Sequence, residues 1–347
     1  MGKQLPVLPS AKLMKNENTS LYHPLKIGNL HLDGNLFLAP VAGYSDCAFR
    51  YVCIEGGANF TCTEMVSSEA LVRNSAKTEQ LLKRAENEKT YAVQIFGGNP
   101  KVMAQAAEIV LQKAHPEVID INAGCPVPKI VKSGAGSALT RDFEQLYLVT
   151  KAVVDAVKGE IPVTVKIRSG WDYSNLTWKE AASAVVQAGA AAITMHPRTR
   201  AQGYEGKADW SLLAKLTEHI AGQIPVFASG DIFSPQAVKD VIEQTNVDGV
   251  MFARGAMGNP FVFAETRHFL QTGETADTAP QIRICAGMRE LRILIQEKGE
   301  IPACREMRKR FCAYSKGLEG SSQLRTRIVA ANTQKDFEEL FAPYIQD

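Results

Sequence analysis

The stretch PVTVKIRSGWDYSNLTWKEAASAVVQAGAAAITMHP, Pro162 to Pro197, joins two short apolar runs, PVTVKIR (162–168) and AAITMHP (191–197), through a helix-like segment at 177–188. Strands buried on both faces read as near-continuous apolar runs, so this pattern predicts two parallel strands with a helix folded over them. The same alternation extends outward in both directions. NLFLAPV (35–41), ANFTCTE (58–64), YAVQIFG (91–97) and VIDINAG (118–124) come before it, and PVFASGD (225–231) and DGVMFAR (248–254) come after. Further helix-like segments fall at 100–113, 142–157, 210–221 and 234–243. Eight strands in this rhythm predict an α/β chain built on a (β/α)8 TIM barrel. An open dinucleotide-binding sheet fits less well, since no GxGxxG follows the first strand. After Gly258-Asn259-Pro260 the alternation stops, QTGETADTAPQ (271–281) reads as a linker, and 282–318 is helical in pattern. The expected layout is a tail over 1–20, a barrel over 21–270, a linker over 271–281 and a small helical domain over 282–347.

Composition narrows the class of protein. The chain of 347 residues is 45% hydrophobic and 22% charged, and no apolar run approaches the roughly 18 residues that would suggest a membrane span. Its first residues, MGKQLPVLPSAKLMKNENTS, lack a signal-type apolar core, so a cytoplasmic protein that does not engage a membrane is expected. Seven cysteines, an odd number without a CxxC pair, read as reduced and mostly buried thiols. Net charge is only +2, but Arg283 to Arg327 holds 11 Lys/Arg against 5 Asp/Glu, a local +6 that leaves −4 elsewhere. A run of this kind is usually a solvated helix face, and it is also what a phosphate-binding surface requires.

Barrel active sites form at the C-terminal ends of the strands. Those ends carry Ala39 and Pro40, Glu64, Gln94, Asn122 and Cys125, Lys166 and Arg168, His196 and Arg198, Ser229-Gly230-Asp231, and Arg254-Gly255. With a single histidine among them, a metal site is not expected. The last two strands end in ASGDIFSP and ARGAMGNP, whose glycines suit backbone approach to a phosphate but are also ordinary loop punctuation. Lys166 sits in an otherwise apolar strand, where it calls for an anionic or electron-rich partner. A cofactor with a phosphate and an electron-accepting ring would account for Lys166, Gln94, His196 and the glycine pair together, and FMN is the economical choice.

These motifs resemble the tRNA-dihydrouridine synthases, and most of all their bacterial B-type branch. The similarity runs from about Leu25 to Leu324 and rests on NAGCP followed by GAGSAL, with LAPVAGYSDCAFR (38–50), VQIFGGNP (93–100), VKIRSGWD (165–172), HPRTRAQGY (196–204), SGDI (229–232) and ARGAMGNP (253–260) in the family's order. Val41 stands where the family usually has methionine, and Ser229 and Ala253 replace an asparagine and a glycine common in the last two loops. The resemblance implies reduction of specific tRNA uridines to 5,6-dihydrouridine, with hydride passing from reduced flavin N5 to C6. Cys125, mostly protonated at neutral pH as an ordinary thiol is, would supply the proton to C5. It implies FMN held by Ala39, Pro40, Val41, Gln94, Lys166, His196, Ser229, Gly230, Asp231, Arg254 and Gly255. The target uridine would meet Asn122, Arg168 and Arg198, and Arg305, Arg308 and Arg310 would meet tRNA phosphates. Segment 129–136 is expected to be a flexible loop that closes over the base. NADPH is the implied electron donor, and no obligatory protein partner is evident. The alternative is a flavin-dependent reductase or dehydrogenase of a free pyrimidine, which would have no use for a basic helical surface.

Overall fold

The computed structural model describes residues 20–345, so the expected N-terminal tail lies outside the described residues except for Ser20. Eight parallel strands form the barrel: β1 Leu36–Leu38, β2 Thr61–Cys62, β3 Tyr91–Phe96, β4 Val118–Ala123, β5 Val163–Gly170, β6 Ala192–Thr199, β7 Val226–Ser229 and β8 Gly249–Phe252. Each pairs with its sequence neighbour from β2 through β8, and β8 returns to pair with β1. The Phe37–Phe60 bridge, with the Leu38 N–H donating to the Phe60 carbonyl at 2.9 Å, closes the ring between β1 and β2. A short strand, Val66–Ser67, also pairs with β3.

The covering helices are α1 Cys47–Glu55, α2 Ser68–Val72, α3 Pro100–Ala114, α4 Phe143–Ala156, α5 Trp178–Gln187, α6 Ser211–Ile220, α7 Pro235–Thr245 and α8 Val262–Thr272. Local sequence fixes several of their starts. Asn99 before Pro100 and Ser234 before Pro235 accept the first free backbone N–H groups of α3 and α7, while proline occupies a position that has no N–H to satisfy.

Side-chain parity along the strands divides the core in two. Leu36, Leu38, Val93, Ile95, Ile119, Ile121, Val165, Ile193 and Val250 point outward into the layer beneath the helices. The alternate residues point inward, and at the bottom of the barrel they are apolar: Phe37, Phe60, Ala92, Val118, Ala192, Phe227 and Met251. Phe37 plugs this end, edge-on to Phe60 at 5.8 Å and to Phe227 at 5.1 Å. A hairpin, Leu25–Ile27 and Leu30–Leu32, adds Ile27 and Leu32 from below. Two residues further along β3, β4 and β6, the same inward column turns polar. Ala92 gives way to Gln94, Val118 to Asp120 and Asn122, and Ala192 to Thr194 and His196.

Beyond the barrel, α9 Pro280–Lys298, α10 Glu300–Tyr314, α11 Ser321–Ala330 and α12 Gln334–Ile345 enclose a core of their own around Leu291, Met307, Phe311, Phe337 and Phe341. The helical pattern thus continues past 318. These helices dock on α1, whose Ala48 belongs to their core. Gly258 meets the Ala313 backbone so closely that a Cβ there would stand 2.5 Å from the Ala313 carbonyl carbon. No described helix is long and apolar enough to cross a membrane.

Candidate active site

The inward polar residues open into a pocket at the C-terminal mouth, lined among others by Pro40, Val41, Gln94, Asn122, Cys125 and Lys166. Parity makes this convergence unavoidable, because β5 presents Thr164, Lys166 and Arg168 at successive inward positions and its register sets Lys166 beside Asn122 and Arg168 beside His196.

A chain of amides rises from the floor to the cysteine. Asp120 accepts from Thr164 Oγ1 and from Gln94 Nε2, each at 2.6 Å. Because Gln94 donates downward, its Oε1 faces up and accepts from Asn122 Nδ2 at 2.8 Å. Asn122 Oδ1 then accepts from the backbone N–H groups of Gly124 (3.2 Å) and Cys125 (2.9 Å). A carboxylate can only accept, so Asp120 sets the sense of both amides and places the Cys125 loop. Burial raises the Asp120 carboxyl to about 6, against the two bonds that favour its charge.

Cys125 is half-buried in the pocket wall, and burial pushes its thiol up, against the Val127 N–H, Arg168 and Lys166. It therefore stays protonated at neutral pH. The stretch after it, expected as a flexible closure over 129–136, has regular structure. Pro128–Lys132 forms a helical turn, Ile130 is buried, and Ser137 donates to the Cys125 carbonyl from both its N–H and its hydroxyl at 3.0 Å.

Lys166 lines the pocket with no hydrogen bond or ion pair to its ammonium among the described residues. Exclusion from water lowers its pKa to about 8, helped by Arg168 and opposed by Asp120. His196 is lowered to about 2 by burial and by the surrounding cations Lys166, Arg168, Arg198 and Arg254. It is therefore neutral. Arg198 can only donate, and its Nη1 lies 3.2 Å from His196 Nε2, which leaves the imidazole proton on Nδ1.

The donor set suits a planar, electron-accepting ring with an anionic tail. An unpartnered lysine, an amide and an imidazole N–H line one cavity, and Gly230 (φ +103°) shapes its edge, where a Cβ would stand 2.5 Å from the His196 ring. Asp231 follows at φ +56°. Burial would raise its carboxyl, but bonds from Arg198 (2.7 Å) and the Ala208 N–H (2.8 Å) outweigh this and hold it low. Arg254 joins the same carboxylate at 3.2 Å and lies over both Tyr204 and Phe233.

A family model described as Dihydrouridine synthase (Dus) matches residues 37–346, barrel and C-terminal helices together. The chain belongs to the dihydrouridine synthase family. A "Probable tRNA-dihydrouridine synthase" of Treponema pallidum (strain Nichols) is 54% identical over 323 residues, covering 92% of this chain and 95% of its own. The tRNA-dihydrouridine synthase B of Pseudomonas aeruginosa is 38% identical over 308 residues, covering 88% and 90%, which sets this dihydrouridine synthase in the B-type branch. Among solved structures, a histamine dehydrogenase from Rhizobium sp. 4-9 superposes with a TM-score of 0.55 at 12% identity, over 79% of this chain and 51% of the other. A DHODH from Eimeria tenella in complex with ferulenol gives 0.51 at 12%, over 75% and 85%. These two share the barrel fold.

Several residues anticipated for this dihydrouridine synthase site stand elsewhere or act indirectly. Arg198 does not line the pocket: it is 2% exposed, held by Asp231 and the Glu205 and Gly206 carbonyls, with Nη1 against His196. Gly255 is outside the pocket lining and faces the Ile232 carbonyl and Phe233, where a side chain would collide with backbone. Arg310 is also only 2% exposed. It bonds Asp46 at 2.6 Å and Glu290, inside the contact between barrel and helices, and is not open to a phosphate. Arg308 caps the end of α11 through the Ala331 carbonyl at 2.7 Å. Arg305 is exposed, as are Arg292, Lys316, Arg325 and Arg327. Ala39, Ser229 and Asp231 do line the pocket, and so do Met65, Tyr204 and Phe233, which strand-end reasoning passed over. Tyr204 and Phe233 are 63% and 51% exposed, and that exposure of large aromatic rings is the signal that marks them.

Proposed function

We propose that this protein reduces specific uridines of tRNA to 5,6-dihydrouridine in the cytoplasm, using FMN at the barrel mouth and NADPH as the electron donor. The observation that carries this reading is a protonated thiol, Cys125, held by Asn122 over a pocket whose other polar groups are an unpartnered lysine and a neutral histidine. FMN, when bound, supplies the hydride that adds to uracil C6. Gln94, Lys166, His196 and the Ser229-Gly230-Asp231 turn are the residues to hold it, with Ala39, Pro40, Val41 and Arg254 around them. Addition at C6 leaves negative charge across C5 and O4, and Cys125 delivers the proton to C5. Arg168 is fixed by the carbonyls of Gly124 (2.9 Å), Thr199 (2.9 Å) and Gly203 (2.8 Å), and it brings positive charge to the same wall without reorganising. Extruding a uridine from folded tRNA costs stacking, and the exposed cations of the C-terminal helices supply compensating phosphate contacts.

The test is turnover. Holoenzyme, NADPH and an unmodified tRNA transcript should give dihydrouridine in a nuclease digest read by mass spectrometry, while free uracil and uridine go unconsumed. Consumption of a free pyrimidine with tRNA untouched would establish the alternative.

Lys166 gives a separate expectation about pH. Its ammonium is charged below about 8 in the free protein, and an anionic partner raises that value, so binding takes up a proton above it. FMN affinity, followed by quenching of flavin fluorescence, should be flat between about pH 7 and 8, above the phosphate's own titration, and weaken as pH rises beyond it. Lys166→Met should bind more weakly and show no such slope. A slope that persists in Lys166→Met would assign the proton to another group.

A further inference from the structure

Trp171 follows β5 at the rim of the mouth, and three loops converge on it. The guanidinium carbon of Arg141 lies 5.1 Å from its ring centre and that of Arg200 lies 4.7 Å away. Backbone bonds lock the arrangement: Arg200 N–H donates to the Gly170 carbonyl (2.8 Å), Ala201 N–H to the Trp171 carbonyl (2.9 Å), and Thr177 Oγ1 to the Thr140 carbonyl (2.6 Å). Neither arginine forms an ion pair among the described residues, and Arg200 Nε is buried without a hydrogen-bond partner. A groove runs alongside, lined by Arg141, Asp142, Phe143, Glu144 and Trp171. Nearby, Tyr173 is 73% exposed and Phe143 is 42% exposed. The neighbouring carboxylates Asp142 and Asp172 are held by local bonds to the Gln145 N–H and to Ser174 and Asn175. Asp142 and Glu144 both line the groove, and Glu144 is the one of the two without a hydrogen-bond partner among the described residues.

Two preorganised, unpaired guanidiniums beside exposed aromatic rings match the chemistry of a nucleic-acid strand, with phosphate on the arginines and a base face on a ring. We propose that this rim, across the mouth from the C-terminal helices, is a second RNA-binding surface. It holds the strand next to the extruded uridine, with a phosphate on Arg141 and Arg200 and an adjacent base on Tyr173. The inference rests on tRNA being the substrate. It places RNA contacts on both sides of the pocket, so that the strand is held on either side of the flipped nucleotide.

The probe is an unmodified tRNA transcript, titrated into holoenzyme at several salt concentrations and followed by fluorescence anisotropy. Arg141→Ala combined with Arg200→Ala should lower affinity about tenfold or more and flatten the log–log salt slope by about 0.7 to 0.9 for each phosphate no longer neutralised. Reduction of bound flavin by NADPH should not change, which also shows that the variant is folded. Glu144→Gln should act in the opposite direction, tightening binding about two- to fivefold by removing a like charge from the groove. Tyr173→Ala should weaken binding without altering the slope. Full affinity and an unaltered slope in the double variant, with wild type binding normally, would overturn the proposal. Loss of flavin reduction in the double variant together with unchanged binding by Glu144→Gln would overturn it as well. If wild type itself binds no tRNA, the substrate reading fails first and this surface falls with it.

Discussion

Cys125→Ala should bind FMN, accept electrons from NADPH and bind tRNA as wild type does, yet reduce tRNA about 10² to 10⁴ times more slowly in a single turnover, the usual contribution of a placed general acid. The thiol lines the pocket, and its backbone is pinned by Asn122 on one side and by Ser137 on the other. Removing the sulfur therefore leaves the loop in place, and a packing change alone would cost less than roughly tenfold. Burial raises the thiol pKa, so its donating form persists above the ordinary thiol range. With FMN saturating, wild-type turnover should decline at alkaline pH, and that limb should vanish in Cys125→Ala. Rapid mixing of prereduced enzyme with unmodified tRNA isolates the step. Near-normal rates in the variant would remove Cys125 from the chemistry while leaving the substrate assignment intact.

Arg310→Met should destabilise the fold by about 3–5 kcal/mol, the usual cost of removing one partner from a buried ion pair. The Arg310 side chain is 3% exposed, between Asp46 (14%) and Glu290 (0%). It also lies 4.9 Å from the Tyr44 ring centre, at the base of the loop that begins with Val41. The Glu290 carboxyl is raised by burial and restrained by Arg310, so without the arginine it rises further. A raised folded-state value means that the folded protein binds more protons than the unfolded chain, and its stability then falls as pH rises through that value. The deficit in urea midpoint should therefore be larger at pH 8 than at pH 5. Arg310→Lys, which keeps the charge and loses the fork, should fall between wild type and Arg310→Met. A phosphate-binding arginine would behave in the reverse way, with stability intact and tRNA affinity reduced.

The barrel could be read from the chain because parallel strands are buried on both faces, so runs such as PVTVKIR and AAITMHP stand out without any help from tertiary context. The last two helices are legible only as part of the helical domain expected over 282–347, not one by one. The segment that forms α11, SSQLRTRIVA, buries only Leu324 and Ile328 and shows no clear stripe, while α12 buries Phe337, Leu340 and Phe341 at helical spacing but carries Pro343 in its interior, which argues against a helix. At the mouth, knowing that residues sit at strand ends located Lys166, Asn122 and Cys125, but it could not separate an arginine that faces the pocket from one that supports it. Arg168 and Arg198 occupy equivalent positions two strand residues beyond Lys166 and His196, and only the Asp231 carboxylate and two loop carbonyls draw Arg198 away. The glycine- and lysine-rich stretch after Cys125 has the composition of a loop, and contacts distant in sequence, Ser137 to the Cys125 carbonyl above all, give it a fixed shape.

On β3, β4, β6 and β7 the inward columns of the barrel change from hydrocarbon to polar within two residues. Mutational risk is therefore graded by height and parity. A change near Phe37 or Phe227 strikes the plug that holds the ring together. One at Lys166 or His196 falls on a platform already secured by the outward neighbours Val165, Ile167, Ile193 and Met195. Chemistry at the rim can be exchanged while the structural plug below it stays the same, which makes the upper tier of this barrel the natural place to graft a different reaction.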